Sequence, residues 1–289
     1  MTYHKNGIIT VEGLIGAGKT TLCQNLRQRL GETRVEGREI IFVAEPVDVW
    51  STFVDADGTP MLTLFYANPK NWAFSFQMMA YISRLAALKK ARDENPDAII
   101  VAERSLEADR YIFAQMLVDD GCINALDHKV YTHWFDTFAG EYCPDLVLYL
   151  DTPVDIAEAR IKSRARTGED PIQRSYLESL AAYTTRWLDT SSGVRTSKTP
   201  LPSIVLPGCH ERRIRTAQEI ADDAVAEIYN YARQSPLNTA ETQMSIRRHV
   251  AFTRQTELAA ELDRLHTEMS SLKLTISGPL MSEQELNCA

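Results

Sequence analysis

Between Ile8 and Thr21 the chain reads IITVEGLIGAGKTT: a β-branched apolar run, a loop with three glycines, then a lysine and two threonines. No other stretch limits the fold so sharply. Gly13-Leu14-Ile15-Gly16-Ala17-Gly18-Lys19-Thr20 fits the spacing GxxxxGK[ST]. That pattern carries physical meaning when a strand precedes it and a helix comes after, as the sequence predicts here. Glycines let successive backbone N–H groups turn inward around phosphate oxygens. A helix opening at Lys19 adds the positive end of its dipole. In such a loop the lysine reaches the β- and γ-phosphates, and a hydroxyl at Thr20, with Thr21 behind it, is placed to hold Mg²⁺. The glycines run GxxGxG and not GxGxxG, which argues against a nicotinamide dinucleotide.

Four further apolar runs lie at 39–44, 98–102, 146–150 and 203–206. Like the first run, at 8–11, most lack polar alternation, so they read as strands buried on both faces. Helical patterns separate them, over 19–30, 70–92, 107–118, 123–139, 153–165, 173–189 and 216–233. Strand–helix alternation predicts an α/β chain with a five-stranded parallel sheet flanked by helices. In such sheets ligands gather at the carboxyl ends of the strands. The glycine loop comes after the first run there, Glu45-Pro46 after the second, Glu103-Arg104-Ser105 after the third, Asp151 after the fourth and PGCHERR after the fifth.

Net charge is −8, which argues against nucleic acid or an anionic membrane as partner, so any phosphate must be met by local cations. The five cysteines are scattered without metal-ligand spacing, as expected of free thiols in a reducing compartment and of a chain with no zinc site. No apolar run reaches membrane-spanning length. Seven residues precede the first run, which leaves no room for a leader, so a cytoplasmic location is expected. QSPLN at 234–238 reads as a linker, giving a main domain over 1–235 and a helical tail over 236–289 with a frayed end. Leu258, Leu262, Leu265, Met269 and Leu272 keep a 4-3-4-3 spacing. That spacing suits either a short coiled coil or an amphipathic helix docked on its own domain.

A phosphate loop serves switches, motors and small-molecule kinases alike. No guanine-reading NKxD is present, and DADG at 55–58 reads as a turn. Transfer to an acceptor hydroxyl needs a base, an acceptor pocket and mobile cations. Glu45, kept out of helix by Pro46, is a candidate base. Glu103, after a buried run, is a candidate magnesium-side carboxylate, and Arg104 could hold Glu45 or the acceptor oxygen. Gln77, Ala80 and Arg84 share one stripe of the 70–92 helix, with Trp72 and Phe76 a turn before. The stripe either lines a planar hydrogen-bonding ligand or faces water. Arg160, Lys162, Arg164 and Arg166 crowd one stretch before Thr167-Gly168-Glu169-Asp170 and read as a mobile lid.

The segments GLIGAGKTT, AEPVDVW, LFYANPKNWAFSFQ, ERSLEADRYIFA and RIKSRARTGED, in that order across roughly residues 7–233, resemble the deoxynucleoside kinases of the deoxycytidine/deoxyguanosine kinase type. The resemblance implies a P-loop kinase that uses ATP and Mg²⁺ to phosphorylate the 5′-hydroxyl of a deoxynucleoside, in salvage, as a homodimer. It makes Glu45 the base with Arg104 beside it. Glu103 becomes the magnesium-side acid or, on another description of the family, the proton acceptor. Tyr66 and Glu169 match residues on the sugar 3′-hydroxyl, with Asp170 the alternative to Glu169. Gln77 matches an amide on the base edge, and Trp50, Phe76 and Phe113 match aromatics around the base. Arg160, Arg164 and Arg166 match the lid, and 207–213 the adenine-side loop. Ala80, Arg84 and Asp109 stand where pyrimidine-preferring relatives carry larger apolar residues and no acid. That set implies purine deoxynucleosides and deoxycytidine over thymidine. The competing expectations are a thymidine or broad-specificity kinase, a thymidylate-kinase-like enzyme (DRY at 109–111) and a nucleotide-binding scaffold assembled through the tail.

Overall fold

Strand β1 (Ile8–Glu12) lies at the centre of the sheet, and every one of its residues is buried. A computed structural model describes residues 7–165, 172–189, 202–207 and 215–235, all within one compact unit, Lys5–Leu237. The five strands are β1, β2 (Ile40–Val43), β3 (Ile99–Glu103), β4 (Leu146–Asp151) and β5 (Ser203–Pro207). They pair in parallel in the order β2-β3-β1-β4-β5. The run-only strands β1 and β3 are wholly buried, whereas the edges β2 and β5 are partly open. The absence of alternation therefore marks the middle of the sheet better than its rim.

After β1 the chain crosses over β3 to reach the β2 edge, and after β3 it returns to the far side of β1. The carboxyl ends of β1 and β3 therefore flank a crevice of the kind that holds ligands in open sheets. Register sets the detail: Val11 lies opposite Glu103, so Arg104 and Ser105, leaving β3, sit beside the glycine loop that continues from β1.

Helix α1 (Lys19–Leu30) starts where the sequence predicts, capped by Gly18 in a left-handed conformation. Its buried Leu22, Leu26 and Leu30 pack on one sheet face with residues of α8 (Val154–Arg164), α9 (Arg174–Leu188) and α10 (Ala217–Gln234). The other face is covered by α4 (Pro69–Glu94) and α7 (Ala125–Phe138) through Tyr81, Leu88, Tyr131 and Phe135.

Two findings differ from the sequence reading. The stretch between β2 and α4 holds two helices that periodicity misses, α2 (Val47–Ser51) and α3 (Met61–Ala67). Both are too short to show a helical period and are set by packing of Trp50 and Phe65 on α4. The single helix expected over 107–118 is three pieces: α5 (Leu106–Ala108), a π-helical turn (Asp109–Ala114) and α6 (Gln115–Asp119). Asp55–Gly58 forms a turn, as the sequence predicts: Asp57 N–H donates to Asp55 Oδ1 at 3.0 Å and Gly58 N–H to Asp55 O at 3.1 Å. Arg166, Glu169, Asp170, most of 207–213 and the tail 236–289 lie outside the described residues.

Candidate active site

The crevice opens into a pocket of about 440 Å³ that runs from the glycine loop to α4. Its phosphate end is built by backbone. Gly16 adopts φ +80°, and a Cβ there would lie 2.4 Å from Ala157 O, so a side chain is excluded on two counts. Gly13 and Gly18 also hold positive φ. Ile15, Gly16, Gly18, Lys19, Thr20 and Thr21 line the pocket, while Leu14 and Ala17 turn into the core. Lys19 is buried, and its ammonium donates to Gly13 O at 3.2 Å and Leu14 O at 2.9 Å. Burial, with Arg104 as a neighbouring cation, lowers its pKa to about 8.

Thr20 Oγ1 donates to Glu103 Oε1 at 2.7 Å, joining the two predicted metal-side residues at the mouth of the loop. A hydroxyl beside a carboxylate is an all-oxygen donor set, which fits a hard divalent cation. From α8, Arg160 Nη1 donates to Ala17 O at 2.8 Å, and Arg160 and Arg164 both line the pocket.

The other end is built by side chains. The predicted stripe of α4 faces inward: Gln77, Ala80 and Arg84 are buried and line the pocket, so the solvated alternative is excluded. Arg84 is 2% exposed. It donates through Nη1 to Asp109 Oδ2 and through Nη2 to Glu45 Oε1 at 2.8 Å. Burial alone would lower its pKa, but Asp109 and Glu45 more than reverse this and hold it above the ordinary value. Arg104 Nε lies 3.6 Å from the same Glu45 oxygen, so Glu45 sits between two guanidinium groups. Arg104 also stacks on Phe113, 4.6 Å from the ring centroid. The π-helical turn carries both Asp109 and Phe113 into the pocket.

An aromatic wall closes this end. Phe65 stacks on Phe76 with centroids 4.6 Å apart, and Trp50 meets Phe76 edge-on at 5.7 Å. Trp50 Nε1 donates to Ser83 Oγ at 2.8 Å, which fixes the indole. Tyr66 meets Tyr176 edge-on at 6.1 Å. Gln77 Oε1 and Arg84 Nε are buried without a hydrogen-bond partner. Unpaired buried polar atoms are costly in a folded protein, and both of these belong to residues that line the pocket.

Among the described residues the candidates on the glycine loop, α4, β3, the π-helical turn and α8 are thus brought to one cavity or to the loop that frames it, whereas Trp72 packs on the aromatic cluster and Lys162 pairs with Glu158 at the surface. Phe65, Leu62 and Tyr176 line it too, and no sequence pattern marks them. Sequence reasoning also misses Glu12. It ends β1 fully buried beneath Arg104, and the signal is a lone carboxylate closing an apolar run.

A phosphate loop facing an enclosed acceptor chamber, on a parallel sheet of this order, defines a P-loop phosphotransferase. The deoxynucleoside kinase family model matches residues 9–230, and the chain belongs to that family; it is a deoxynucleoside kinase. It is 32% identical over 202 residues to deoxycytidine kinase 1 of Xenopus laevis, covering 62% of this chain and 73% of that protein. To human deoxycytidine kinase it is 30% identical over 200 residues, 62% and 74% of the two chains. To the deoxyadenosine/deoxycytidine kinase of Bacillus subtilis it is 31% identical over 188 residues, 64% and 77% of the two chains. No helix among the described residues is long and apolar enough to cross a membrane.

Proposed function

We propose that this kinase transfers the γ-phosphoryl group of ATP to the 5′-hydroxyl of a deoxynucleoside in nucleotide salvage, and that it favours deoxycytidine and purine deoxynucleosides over thymidine. The reading rests on one observation: the phosphate loop and Glu45 share a pocket whose far end is lined by the polar side chains of Gln77, Arg84 and Asp109. In this reading the base lies between the Phe76–Phe65 stack and Phe113, with Gln77 on its polar edge. Tyr66 takes the 3′-hydroxyl, together with Glu169 of the lid. The 5′-hydroxyl then points at Glu45, which accepts its proton as the oxygen attacks. Arg84 and Arg104 hold the Glu45 carboxylate in place from two sides. Lys19, Arg160, Arg164 and Arg166 meet charge on the transferred phosphoryl oxygens. Thr20 and Glu103 would hold Mg²⁺, which when bound neutralises phosphate charge.

Base preference comes from room and polarity. Ala80 leaves space for two rings. Arg84, locked to Asp109, offers hydrogen-bonding groups and opposes a thymine methyl. With Mg·ATP, a panel of four deoxynucleosides is expected to give the lowest kcat/KM for thymidine. Faster turnover of thymidine than of the other three overturns the preference, and turnover of monophosphates alone overturns the acceptor.

The homodimer belongs to the same reading and is supported by α7. Leu126, Val130, Trp134 and Phe138, each four residues apart, are all exposed on it, and Trp134 stacks on Phe138. A large apolar stripe of this kind marks an interaction surface. Trp134→Glu is expected to shift the protein to monomer by sedimentation; an unchanged mass removes this surface from the interface. A cytoplasmic location belongs to the same reading, on the scattered cysteines of the sequence.

A further inference from the structure

Arg104 has a backbone that its residue type resists. Its φ is +71°, one of three positive values at non-glycine residues among those described. The other two, Glu36 and Ala165, are exposed, whereas Arg104 is buried at the end of β3. Backbone strain at a buried functional position persists only when the surroundings fix it. Here three groups do. Arg104 N–H donates to Val11 O at 3.1 Å, continuing the β1–β3 ladder. Its Nη2 donates to Gly13 O at 3.2 Å. The next amide, Ser105 N–H, donates to Glu12 Oε1 at 2.7 Å.

Glu12 is the unusual member of this set. It is fully buried, and the proposed chemistry makes no use of it. Its Oε2 has no hydrogen-bond partner and faces Arg104 Nη1 at 3.8 Å. A buried carboxylate with a free oxygen is expensive unless a cation offsets it. Arg104 and the Ser105 amide offset part of that cost, while burial still holds the Glu12 carboxyl above its ordinary value; Arg104 faces Glu12 with one nitrogen while its Nε faces Glu45.

We infer that Glu12 is a positioning residue for phosphoryl transfer: by receiving the Ser105 amide and facing the Arg104 guanidinium, it fixes the left-handed kink that aims Arg104 at Glu45. Without the carboxylate, β3 loses the acceptor that holds the kink, and Arg104 loses the anion behind it. Glu45 then keeps Arg84 but loses its second cation on the side of the phosphate loop. The inference rests on the reading of Glu45 and Arg104 as the acceptor machinery.

Glu12→Gln keeps the size and an oxygen for Ser105 N–H but removes the charge. We expect kcat to fall about 30-fold while KM for ATP stays within about twofold. Arg104→Met is expected to fall at least as far. In that background Glu12→Gln should change kcat by less than about threefold, because both act through one guanidinium. A packing role predicts otherwise, with a lowered thermal midpoint, unchanged kcat, or losses that multiply in the double variant. Any of these overturns the inference. If Arg104→Met itself retains kcat, the acceptor reading falls and the inference with it. If Arg104→Met is slow and Glu12→Gln is not, the inference alone falls. Hydrogen exchange in the unmodified protein gives a second arm that does not depend on a variant folding. The Ser105 amide should exchange with the slowest class, and exchange at the rate of an open loop overturns the proposal.

Discussion

The two ends of the pocket are made differently. At the phosphate end the backbone does the holding, and the polar side chains around it are paired: Lys19 donates to Gly13 and Leu14, Thr20 to Glu103 and Arg160 to Ala17. At the nucleoside end side chains from α2, α3, α4 and the π-helical turn do it, and Gln77 Oε1 and Arg84 Nε are left unpaired. A site that recognises a group common to every nucleotide can be finished before the ligand arrives. Where side chains line a site, choice among ligands comes from the penalty for a wrong partner, which is a polar group that stays unpaired.

This contrast can be broken by experiment. The largest effect is expected from Glu45→Gln, which should lower kcat about a thousandfold with KM for ATP within about twofold. Steady-state kinetics check it. A larger loss in Glu103→Gln, with ATP binding intact, would move the proton-accepting role to Glu103. Gln77→Leu is expected to cost about 30-fold in kcat/KM for deoxycytidine, and nothing in ATP affinity measured by calorimetry. A parallel loss in ATP affinity would show that the two ends are not independent. Replacing Arg84 by Met together with Asp109 by Ala should raise thymidine kcat/KM relative to deoxycytidine about tenfold. An unchanged ratio would place base choice elsewhere.

The smallest effect is a proton. Burial and Arg104 lower the Lys19 pKa to about 8, so near pH 8 about half of these lysines are expected to be neutral before ATP binds. Arriving phosphate charge favours the ammonium and raises its pKa. ATP binding should then take up about half a proton at pH 8, and its affinity should fall as pH rises further. Calorimetry in two buffers of different ionisation enthalpy measures the uptake, and Lys19→Met should remove it.

The same contrast explains how much of the molecule is legible in its sequence. The phosphate end is legible because its geometry needs particular residues in one short stretch: no side chain fits where Gly16 meets Ala157, so glycine is written there. The central strands β1 and β3 are legible because burial on both faces leaves an unbroken apolar run, and α1 because Leu22, Leu26 and Leu30 recur every four residues behind the glycine loop. The nucleoside end is spread over residues 45 to 176, and its stripe on α4 has two readings until burial chooses between them. Periodicity cannot find α2 and α3, which are five and seven residues long. Nor can it find the π-helical turn, since one i→i+5 turn leaves the apolar pattern almost unchanged. Glu12 is hidden for another reason, because a carboxylate after an apolar run looks like the first residue of a loop.

The fit of Gly16 against α8 has a mechanical consequence. The glycine loop touches that helix at Ala157 O and is latched to it again where Arg160 donates to Ala17 O. Thr152, just ahead of the helix, reaches the same carbonyl at 3.3 Å. The helix that carries Arg160 and Arg164 is therefore rooted in the cradle itself. A push at the cradle reaches those arginines through one glycine contact and two side-chain bonds that meet on a single carbonyl, so few parts stand between them.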